Sequence, residues 1–236
     1  MSKIVFITGI TSMDASHLVD YLLEKEDVKI YGLIRRSSTD TCWRIKSVLN
    51  KIEIITGDMI DTSSLNKAIK LVKPDFVFNL AAQSYVKASW DSPESTFDIN
   101  AMGVIRLLEA VRNFGRKDTR IFQASSSEMF GKVQETPQTE TTKFYPRSIY
   151  GCSKVAAHHI CINYRESYDM FICCGISFNH ESYRRGLEFV SRKISYGVAK
   201  IYLKMADCIE LGNLDSKRDF GYAPEFVEAF WRMLQL

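Results

Sequence analysis

Short apolar segments alternate with longer amphipathic segments along most of this chain of 236 residues. The first, Lys3–Thr8 (KIVFIT), predicts a buried strand, and Ala15–Lys25 predicts a helix with Leu18, Tyr21 and Leu22 on one face. The same reasoning predicts strands at Val28–Arg35, Ile52–Thr56, Phe76–Leu80, Arg120–Ala124 and Met170–Ser177, and helices at Thr62–Val72, Glu94–Phe114, Ser148–Ser167 and Phe226–Leu234. Continuous apolar strands separated by helices are typical of parallel sheets covered on both faces. The sequence therefore predicts an α/β fold with a doubly wound parallel sheet.

Composition indicates an ordinary globular protein, with 46% hydrophobic and 25% charged residues. The 31 basic and 28 acidic residues leave a net charge of +3 without a long basic run, so nucleic acid and membranes are not expected as partners. No segment approaches the ~20 apolar residues that span a bilayer, and Met1–Thr8 lacks the features of a signal peptide. The six cysteines form no C-x-x-C pair or zinc-type cluster. We expect reduced thiols, no metal and a cytoplasmic location.

The first strand leads into a turn, Thr8–Ala15 (TGITSMDA), at the place where such a sheet binds a dinucleotide pyrophosphate. In extended short-chain dehydrogenases this turn carries three evenly spaced glycines. Here only Gly9 is retained, and Ser12 and Ala15 occupy the other two places. Alanine is an accepted substitute for the third glycine, but a serine side chain intrudes where the backbone approaches the phosphates. If Ser12 requires a positive φ, the cost is about 1 kcal/mol, or about a fivefold loss of cofactor affinity.

The second predicted strand ends in a cluster of basic and hydroxyl side chains, about twenty residues after the turn. Arg35 and Arg36 stand where an acidic residue would bind the ribose of NAD, and arginine at this place accommodates the 2′-phosphate of NADP. Ser37 and Ser38 add hydroxyl groups, and the set suits a phosphate through charge-assisted hydrogen bonds. A solvated strand end is the alternative. The pattern favours NADP.

Tyr150 and Lys154 form a Tyr-x-x-x-Lys pair within a predicted helix, where a spacing of i and i+4 places both side chains on one face. A neighbouring ammonium, together with an oxidised nicotinamide, favours the phenolate and lowers the pKa of the tyrosine from about 10. The phenolate can then take a proton from a substrate hydroxyl while hydride leaves the same carbon. The pair arises readily by chance, and its position after the fifth strand of a dinucleotide fold makes it a candidate catalytic pair.

The fifth predicted strand leads into Ala124–Glu128 (ASSSE), and strand ends of this kind point into the ligand crevice. A hydroxyl there can hold the substrate hydroxyl for Tyr150. Glu128 is more informative, because simple oxidation of an alcohol requires no carboxylate base. Its presence predicts a second proton transfer, such as abstraction beside a newly formed ketone. A carboxylate that caps a loop or pairs with a lysine is the alternative.

Several segments together resemble the GDP-mannose 4,6-dehydratases, and the resemblance runs from Lys3 to about Gln235. The segments are Ile121–Glu128, Phe144–Ser148 leading into Tyr150, Phe178–Ser182, Arg184–Gly186 and Leu211–Asp215. The resemblance implies that Tyr150 deprotonates the C4 hydroxyl of GDP-mannose while hydride passes to NADP. Glu128 then removes the C5 proton as water leaves C6, and the hydride returns to C6. The active-site threonine of the family falls on Ser126.

The resemblance also implies which residues contact the ligands. The implied NADP contacts are Gly9, Thr11, Ser12 and Asp14 at the turn, Arg35, Arg36, Ser37 and Ser38 at the 2′-phosphate, Asp58 and Met59 beside adenine, Leu80, Ala82 and Ser84 after the fourth strand, and Tyr150, Lys154, His180 and Arg185. The implied contacts of the nucleotide sugar are Asn179, Lys193 and Arg218. We expect residues 1–178 to form the NADP-binding domain with the catalytic residues, and residues 179–236 to form part of a substrate-binding region. The family further implies a GDP-sugar substrate and a homo-oligomer, either a dimer or a tetramer.

The chain departs from the family pattern at several positions. Besides Ser12 and Ala15, Met13 replaces a glutamine, Ser95 replaces a tyrosine, and Tyr183 replaces a proline before the arginine pair. Members of the family also extend well beyond the position of the last residue. The apolar face of the predicted helix 226–234 is therefore expected to be covered by another chain or by a further segment.

Three functional hypotheses are compatible with the sequence. The first is an NADP-dependent dehydratase of a GDP-sugar, which uses Ser126, Glu128, Tyr150 and Lys154 together. The second is a non-catalytic or impaired relative that still binds NADP, which the altered turn favours. The third is an epimerase or reductase on the same fold, for which the carboxylate at Glu128 would not be needed.

Overall fold

The structure, a computed structural model, describes residues 2–236. Within these residues the strands are β1 Lys3–Thr8, β2 Val28–Ile34, β3 Glu53–Thr56, β4 Phe76–Asn79, β5 Arg120–Ser126, β6 Phe171–Ser177, β7 Asn179–Glu181 and β8 Phe220–Tyr222. The α-helices are α1 Met13–Lys25, α2 Thr62–Val72, α3 Ala88–Asp91, α4 Pro93–Phe97, α5 Gly103–Phe114, α6 Ile149–Tyr168, α7 Val190–Tyr202 and α8 Ala223–Met233. Short 3₁₀ helices occupy Cys42–Arg44, Lys46–Lys51 and Ser127–Met129, and a π-helical turn occupies Asp98–Met102.

The first six strands form one parallel sheet in the order β3-β2-β1-β4-β5-β6. This confirms the predicted doubly wound sheet and all six predicted strands, whose ends differ by at most two residues. Strand order reverses between β1 and β4, which are neighbours in space although the chain visits β2 and β3 between them. A crevice opens at the carboxyl ends of the strands at such a reversal, and ligands of doubly wound sheets bind there.

The two faces of the sheet are covered by different helices because side chains alternate along each strand. Phe6 and Val77 face a layer formed by α2, α5 and α6, and both are fully buried. Ile7, Phe78 and Phe122 face the opposite layer, formed by α1 and α8, and are also fully buried. Burial on both faces explains why the strand sequences are continuously apolar.

Helix α8 closes the second layer, which overturns one expectation from the sequence. Its apolar face lies against α1 and the sheet, with the Phe230 ring stacked on Phe122 at a centroid distance of 4.3 Å. The Trp231 ring lies 4.8 Å from that of Phe76, and its indole N–H donates to Glu26 at 2.9 Å. The prediction that another chain or a further segment covers this face is therefore wrong. The end of the chain returns to its own sheet.

The predicted helix Glu94–Phe114 is a helical run with a π-helical turn in its middle. At this turn the Asn100 side chain accepts from the backbone N–H of Gln83 at 2.9 Å and donates to its carbonyl at 3.0 Å. The same amide donates to the hydroxyl of Ser153 on α6 at 3.1 Å. Hydrogen bonds to distant parts of the chain thus stabilise a π-helical turn that the apolar spacing of the segment did not predict.

Beyond the large sheet, β7 and β8 form a two-stranded parallel ribbon. Helix α7 follows β7 and has no buried residue, and the sequence prediction had missed this helix and the ribbon. None of the helices in the described part of the chain is long and apolar enough to cross a membrane.

Replacement of Phe230 by alanine tests the packing of α8 on the sheet. Loss of this buried ring should lower the free energy of unfolding by about 3–5 kcal/mol, measured by urea denaturation. The control is Tyr202→Ala, because Tyr202 is 85% exposed and its loss should cost no more than about 0.5 kcal/mol. Equal effects of the two substitutions would mean that α8 does not pack as described.

Candidate active site

A cavity of about 380 Å³ lies at the carboxyl ends of β1, β4, β5 and β6, where the strand order reverses. Its volume falls within the usual range for small-molecule sites. The predicted site residues that line it are Ser12, Asp14, Leu80, Ala82, Ser84, Ser126, Glu128, Tyr150, Lys154, Asn179, His180 and Arg185. Tertiary folding therefore brings most of the predicted cofactor contacts and the whole predicted catalytic set to one place.

Tyr150 and Lys154 stand in the first two turns of α6 and share the face turned to the cavity. Ser148 caps the N-terminus of this helix, because its hydroxyl accepts from the N–H of Gly151 at 3.0 Å. Both functional side chains are almost completely buried, and the Lys154 ammonium donates to the carbonyl of Ala124 at 2.9 Å. The ammonium lies 5.8 Å from the centre of the Tyr150 ring. The strand β5 thus orients the lysine beside the tyrosine.

Burial is the largest influence on the pKa values of Tyr150 and Lys154. It raises the pKa of Tyr150, the hydroxyl of Ser126 opposes this by hydrogen bonding, and the negative charge of Glu128 adds to it. Desolvation of the phenolate is the largest of these effects. The prediction that the ammonium and an oxidised nicotinamide together lower the pKa of the phenol stays a prediction. Burial also lowers the pKa of Lys154 to about 8, so the amine is still mostly charged at neutral pH.

Glu128 reaches the cavity from the 3₁₀ turn that directly follows β5. The Ser126 hydroxyl accepts from the backbone N–H of Glu128 at 3.2 Å, which fixes the start of this turn. Among residues 2–236, no basic group lies within 4.0 Å of the Glu128 carboxylate. The alternative in which this carboxylate pairs with a lysine is therefore not what the structure shows. An unpaired carboxylate at a cavity wall is available as a base.

The turn between β1 and α1 combines one obligatory glycine with an unstrained serine. Gly9 has a φ of +65°, and a Cβ atom there would lie 2.8 Å from the backbone of Ala81. Ser12 has a φ of −72°, so the strain that would follow from a positive φ does not arise. Its hydroxyl instead caps α1 by accepting from the N–H of Ala15 at 3.2 Å. The serine therefore stabilises the helix end while its side chain occupies space near the predicted pyrophosphate.

His180 and Asp14 form a buried pair that links β7 to the first turn of α1. The Nε2 atom of His180 lies 3.0 Å from the Asp14 carboxylate, and its Nδ1 atom lies 2.7 Å from the carbonyl of Phe178. Both partners only accept hydrogen bonds, so both ring nitrogens donate and the ring is an imidazolium. Burial lowers the pKa of His180, but the hydrogen bond and charge of Asp14 outweigh it, and the net pKa is raised.

The predicted 2′-phosphate contacts lie at a second concavity of about 340 Å³, beside the ends of β2 and β3. Arg35, Arg36 and Asp58 line it, whereas Ser37 and Ser38 lie in the exposed loop that follows. The predicted adenine contact at Met59 is different. Its side chain is 4% exposed and packs in the core below Gly103, so only its backbone can face a ligand.

The remaining predicted contacts lie away from the cavity wall. Lys193 is exposed on α7, and Arg218 is exposed in the segment before β8, where it donates to the carbonyl of Lys217 at 2.8 Å. Neither residue lines the cavity, and their assignment to the nucleotide sugar stays a prediction. Gly9 and Thr11 belong to the turn at the cavity edge without lining it.

Three further residues at or behind the site were not identified from the sequence. Arg44 lines the cavity from the 3₁₀ helix after β2, and no motif marks it. Asn100 supports α6 from the π-helical turn, behind Tyr150 and Lys154. The His158 ring is hydrogen-bonded to Ser125 at 2.9 Å. Asn100 is a polar residue inside an apolar helical segment, and this was the one feature of the sequence that could have indicated its structural role.

The His180–Asp14 pair predicts a specific dependence of stability on pH. Since the folded state raises the pKa of His180, its stabilisation is complete below the ordinary value of about 6.5 and is lost as pH rises through the raised value. The free-energy difference between the wild type and His180→Gln, from urea unfolding, should be largest near about pH 6 and shrink towards about pH 9.

Asp14→Asn is the matched control, because it removes the charge that raises the pKa of His180. The difference in the free energy of unfolding between Asp14→Asn and the Asp14→Asn, His180→Gln double variant should depend much less on pH. The charge of Asp14 raises the pKa of Lys154, but the two proteins in each comparison share the same residue at position 14, so the titration of Lys154 cancels within each difference. A wild-type advantage that stays constant across this pH range would contradict the imidazolium assignment.

Comparison with known proteins places the chain in a family. The family model for GDP-mannose 4,6 dehydratase matches residues 6–236. The GDP-mannose 4,6 dehydratase of Drosophila melanogaster is 52% identical over 242 residues, which cover 99% of this chain and 61% of that protein. The protein of that name from Homo sapiens is 48% identical over 242 residues, covering 99% of this chain and 65% of its own. The chain thus spans less than two thirds of the length of these relatives.

The fold is shared more widely. A UDP-N-acetylglucosamine 4-epimerase from Methanobrevibacter ruminantium M1, solved in complex with UDP-N-acetylmuramic acid, superposes with a TM-score of 0.84 at 26% identity. That match covers 99% of this chain and 73% of the other. Neither the fold nor the tyrosine–lysine pair alone separates an epimerase from a dehydratase. The family model and the relatives extend over almost the whole chain, and they show that this chain belongs to the GDP-mannose 4,6-dehydratase family.

Proposed function

We propose that this chain carries the catalytic centre of an NADP-dependent GDP-mannose 4,6-dehydratase, which forms GDP-4-keto-6-deoxymannose. The single observation that carries the proposal is the unpaired carboxylate of Glu128 in the same cavity as Tyr150 and Lys154. The tyrosine and lysine suffice for hydride transfer at an alcohol, and a dehydration needs a further base. Membership of the family supports the same substrate class, a GDP-sugar.

The residues of the chain fit a nicotinamide dinucleotide. Ser12, Met13 and Asp14 at the start of α1 line the cavity, at the place where such a sheet binds a dinucleotide pyrophosphate. Arg35 and Arg36 line the concavity at the far end of the crevice, and within residues 2–236 neither forms an ion pair with a carboxylate. The Asp58 carboxylate in the same concavity accepts from the backbone N–H of Ile60 at 3.3 Å. Two free guanidinium groups favour NADP over NAD.

The first proposed step is removal of the C4 hydroxyl proton by Tyr150. The Ser126 hydroxyl, which lines the same cavity as the phenol, orients both the phenol and the substrate hydroxyl. Lys154 holds its charge beside the phenol and stabilises the phenolate that forms. When bound, NADP stores the hydride released from C4 and later supplies it to C6. Burial of the tyrosine excludes water, which would compete for the proton.

The second proposed step uses Glu128 as the base at C5. A ketone at C4 acidifies the C5 proton, and the carboxylate accepts it without first having to leave an ion pair. The protonated carboxyl group can then donate to the hydroxyl that leaves C6 as water. Tyr150, which holds the C4 proton, is placed to return a proton as the double bond is reduced. The net reaction removes one water and regenerates the cofactor.

The working form of the enzyme is proposed by analogy with the family. We infer a homo-oligomer in the cytoplasm. The six cysteines, all of which are unpaired thiols in the structure, support a reducing compartment. Native mass measurement of the purified protein tests the oligomer directly.

A Glu128→Gln substitution tests the proposed reaction. With GDP-mannose and NADP, the wild type should form a 4-keto product that absorbs in alkali. Glu128→Gln should lower product formation by about 100-fold or more, because it removes a general base. It should still reduce NADP on mixing, because Tyr150 and Lys154 are unchanged, and reduced nicotinamide should accumulate.

Two further variants complete this experiment. Tyr150→Phe should abolish both the product and the reduction of NADP, and Glu140→Gln, on an exposed loop, should behave like the wild type. Full product formation by Glu128→Gln would favour the epimerase or reductase hypothesis. No product from folded, NADP-binding wild-type protein would favour the non-catalytic one.

Replacement of Arg35 by alanine tests the choice of cofactor. The 2′-phosphate is the group that distinguishes NADP from NAD, so Arg35→Ala should weaken NADP binding by about 10-fold and leave NAD binding almost unchanged. Isothermal titration calorimetry with both dinucleotides measures the ratio. An unchanged ratio of the two dissociation constants in both Arg35→Ala and Arg36→Ala would overturn the assignment to NADP.

A further inference from the structure

Three polar side-chain contacts join α1 to the connecting segment, residues 178–185, which contains β7 and follows the last strand of the large sheet. Each contact joins one helix residue to one segment residue, and the pairs are Asp14 with His180, His17 with Ser182, and Asp20 with Arg184. The partners are three residues apart on the helix and two apart on the segment, so the contacts follow one another along one helix face. The outer two are ion pairs, at 3.0 Å and 2.6 Å, and the middle one is a hydrogen bond of 2.9 Å.

His17, in the middle contact, is almost completely buried, and its ring is neutral at neutral pH. Burial is the largest effect and lowers its pKa, and the positive charge of Arg184 on the connecting segment lowers it further. The carboxylates of Asp20 and Asp14 on α1 oppose this shift without reversing it. The Ser182 hydroxyl gives the buried Nε2 atom of the ring the hydrogen-bond partner that a buried polar atom needs.

Ser182 connects His17 to a turn that leads into Arg185. Its hydroxyl also accepts from the backbone N–H of Arg184 at 3.0 Å, and its carbonyl accepts from the N–H of Arg185 at 3.1 Å. The far end of this turn is held separately, since the carbonyl of Arg184 accepts from Arg44 at 2.8 Å. The hydrogen bond between His17 and Ser182 therefore fixes the start of the turn 182–185.

Tyr183 adds a second contact between this turn and His17. The tyrosine ring meets the imidazole edge-on, with the ring centroids 5.6 Å apart. Tyr183 stands where the family pattern has a proline, whose ring would restrict the backbone of the turn. Tyrosine imposes no such restriction. In this chain the contacts with His17 supply a restraint from outside the turn.

The turn determines where Arg185 enters the cavity. The guanidinium of Arg185 lies over the ring of Phe189, 3.7 Å from its centroid. Its Nε atom lies 3.0 Å from the carboxylate of Glu181, and the side chain lines the cavity wall. Both neighbours belong to the same part of the chain as Arg185. The contacts between the turn and α1 thus set the position of this charge relative to the large sheet.

Arg185 is one of several groups that influence the protonation of Tyr150. The polar and charged groups that act on the phenol or lie beside it are Ser126, Glu128, Asp14, Arg185 and Lys154. Burial raises the pKa of Tyr150, and the carboxylates add to this, whereas the positive charge of Arg185 lowers it. Movement of Arg185 away from the cavity would therefore raise the pKa of the proposed base further.

We propose that His17 is a positioning residue that holds the turn 182–185 and so keeps the charge of Arg185 in the cavity beside Tyr150. His17 does not itself line the cavity, so it acts only through this turn. The proposal rests on the proposed function, in which Tyr150 removes the C4 hydroxyl proton. A histidine that only filled space between α1 and the turn would affect stability and leave the pH dependence of this step unchanged.

The first experiment measures the rate of NADP reduction on mixing with GDP-mannose, from about pH 7 to about pH 10, where His17 stays neutral. His17→Phe keeps an aromatic ring and removes the hydrogen bond to Ser182, so the rise of the rate with pH should move to higher pH. The rate near neutral pH should fall by about 3- to 10-fold, as a shift of up to about one pKa unit requires. His17→Gln, whose amide can still bond to Ser182, should restore most of the rate.

Two further variants serve as controls. Ser182→Ala removes the same hydrogen bond from the side of the turn and leaves α1 unchanged, so it tests the proposal even if His17→Phe does not fold. It should shift the pH dependence in the same direction as His17→Phe. His159→Phe replaces an exposed histidine on α6 and should behave like the wild type. A wild-type pH dependence in folded Ser182→Ala and His17→Phe proteins would overturn the proposal.

The second experiment follows the turn itself and needs no activity. Phenylglyoxal modifies accessible arginines, and sequencing of the modified peptides by mass spectrometry separates Arg185 from Arg232, an exposed arginine on α8. The Arg185 side chain is 19% exposed, so its modification in the wild type should be slow. Loosening of the turn in His17→Phe or Ser182→Ala should accelerate it by about 3-fold or more, with Arg232 unchanged. Equal rates at Arg185 in the wild type and both variants would overturn the proposal.

Failure of this inference is distinguishable from failure of the proposed function. If the wild type reduces NADP and the variants keep its pH dependence, the proposed reaction stands and the role of His17 fails. If the wild type does not reduce NADP with GDP-mannose, the proposed function fails, and the modification of Arg185 still decides whether His17 holds the turn. Faster modification with an unchanged pH dependence would mean that the turn moves without an effect on Tyr150, which would also overturn the proposal.

Discussion

The site depends on the reversal of strand order between β1 and β4. Chain segments that leave these adjacent parallel strands turn to opposite faces of the sheet, so their carboxyl ends separate and leave a crevice. The turn after β1 must still pass close to the turn after β4, which is why Gly9, with its φ of +65°, lies against the backbone of Ala81. Every residue of the candidate site follows one of the strands that end at this crevice or is held against those ends.

Two buried basic groups along the crevice are each held by an oxygen atom of a specific partner. The buried ammonium of Lys154 is held by a backbone carbonyl, and the imidazolium of His180 is neutralised by Asp14. Glu128, Arg44 and Glu188 are charged groups of the cavity wall that lack such an ionic partner among residues 2–236. An unpaired charge in a partly desolvated place is costly to maintain, and Glu128 is the one of these groups to which we assign proton transfer.

Sequence reasoning was most successful where a periodic pattern coincided with a local rule. The six strands, the pair Tyr150 and Lys154, and the carboxylate at the end of β5 were all predicted in the right places. It failed where a residue depends on partners distant in sequence. The cover of α8 depends on such partners, namely the sheet and α1, and so do the π-helical turn at Asn100 and the position of Arg44 in the cavity.

By itself, the sequence determined the doubly wound fold and the family, and it indicated the candidate catalytic side chains, because apolar periodicity and short motifs are properties of neighbouring residues. Only the tertiary structure decided that the apolar face of α8 lies on its own sheet, that His180 carries a charge against Asp14, and that Arg44 enters the cavity. These features join residues more than thirty positions apart, at Thr11 and Arg44, and up to 205 apart, at Glu26 and Trp231. Such contacts arise only when the folded sheet brings distant loops to one edge.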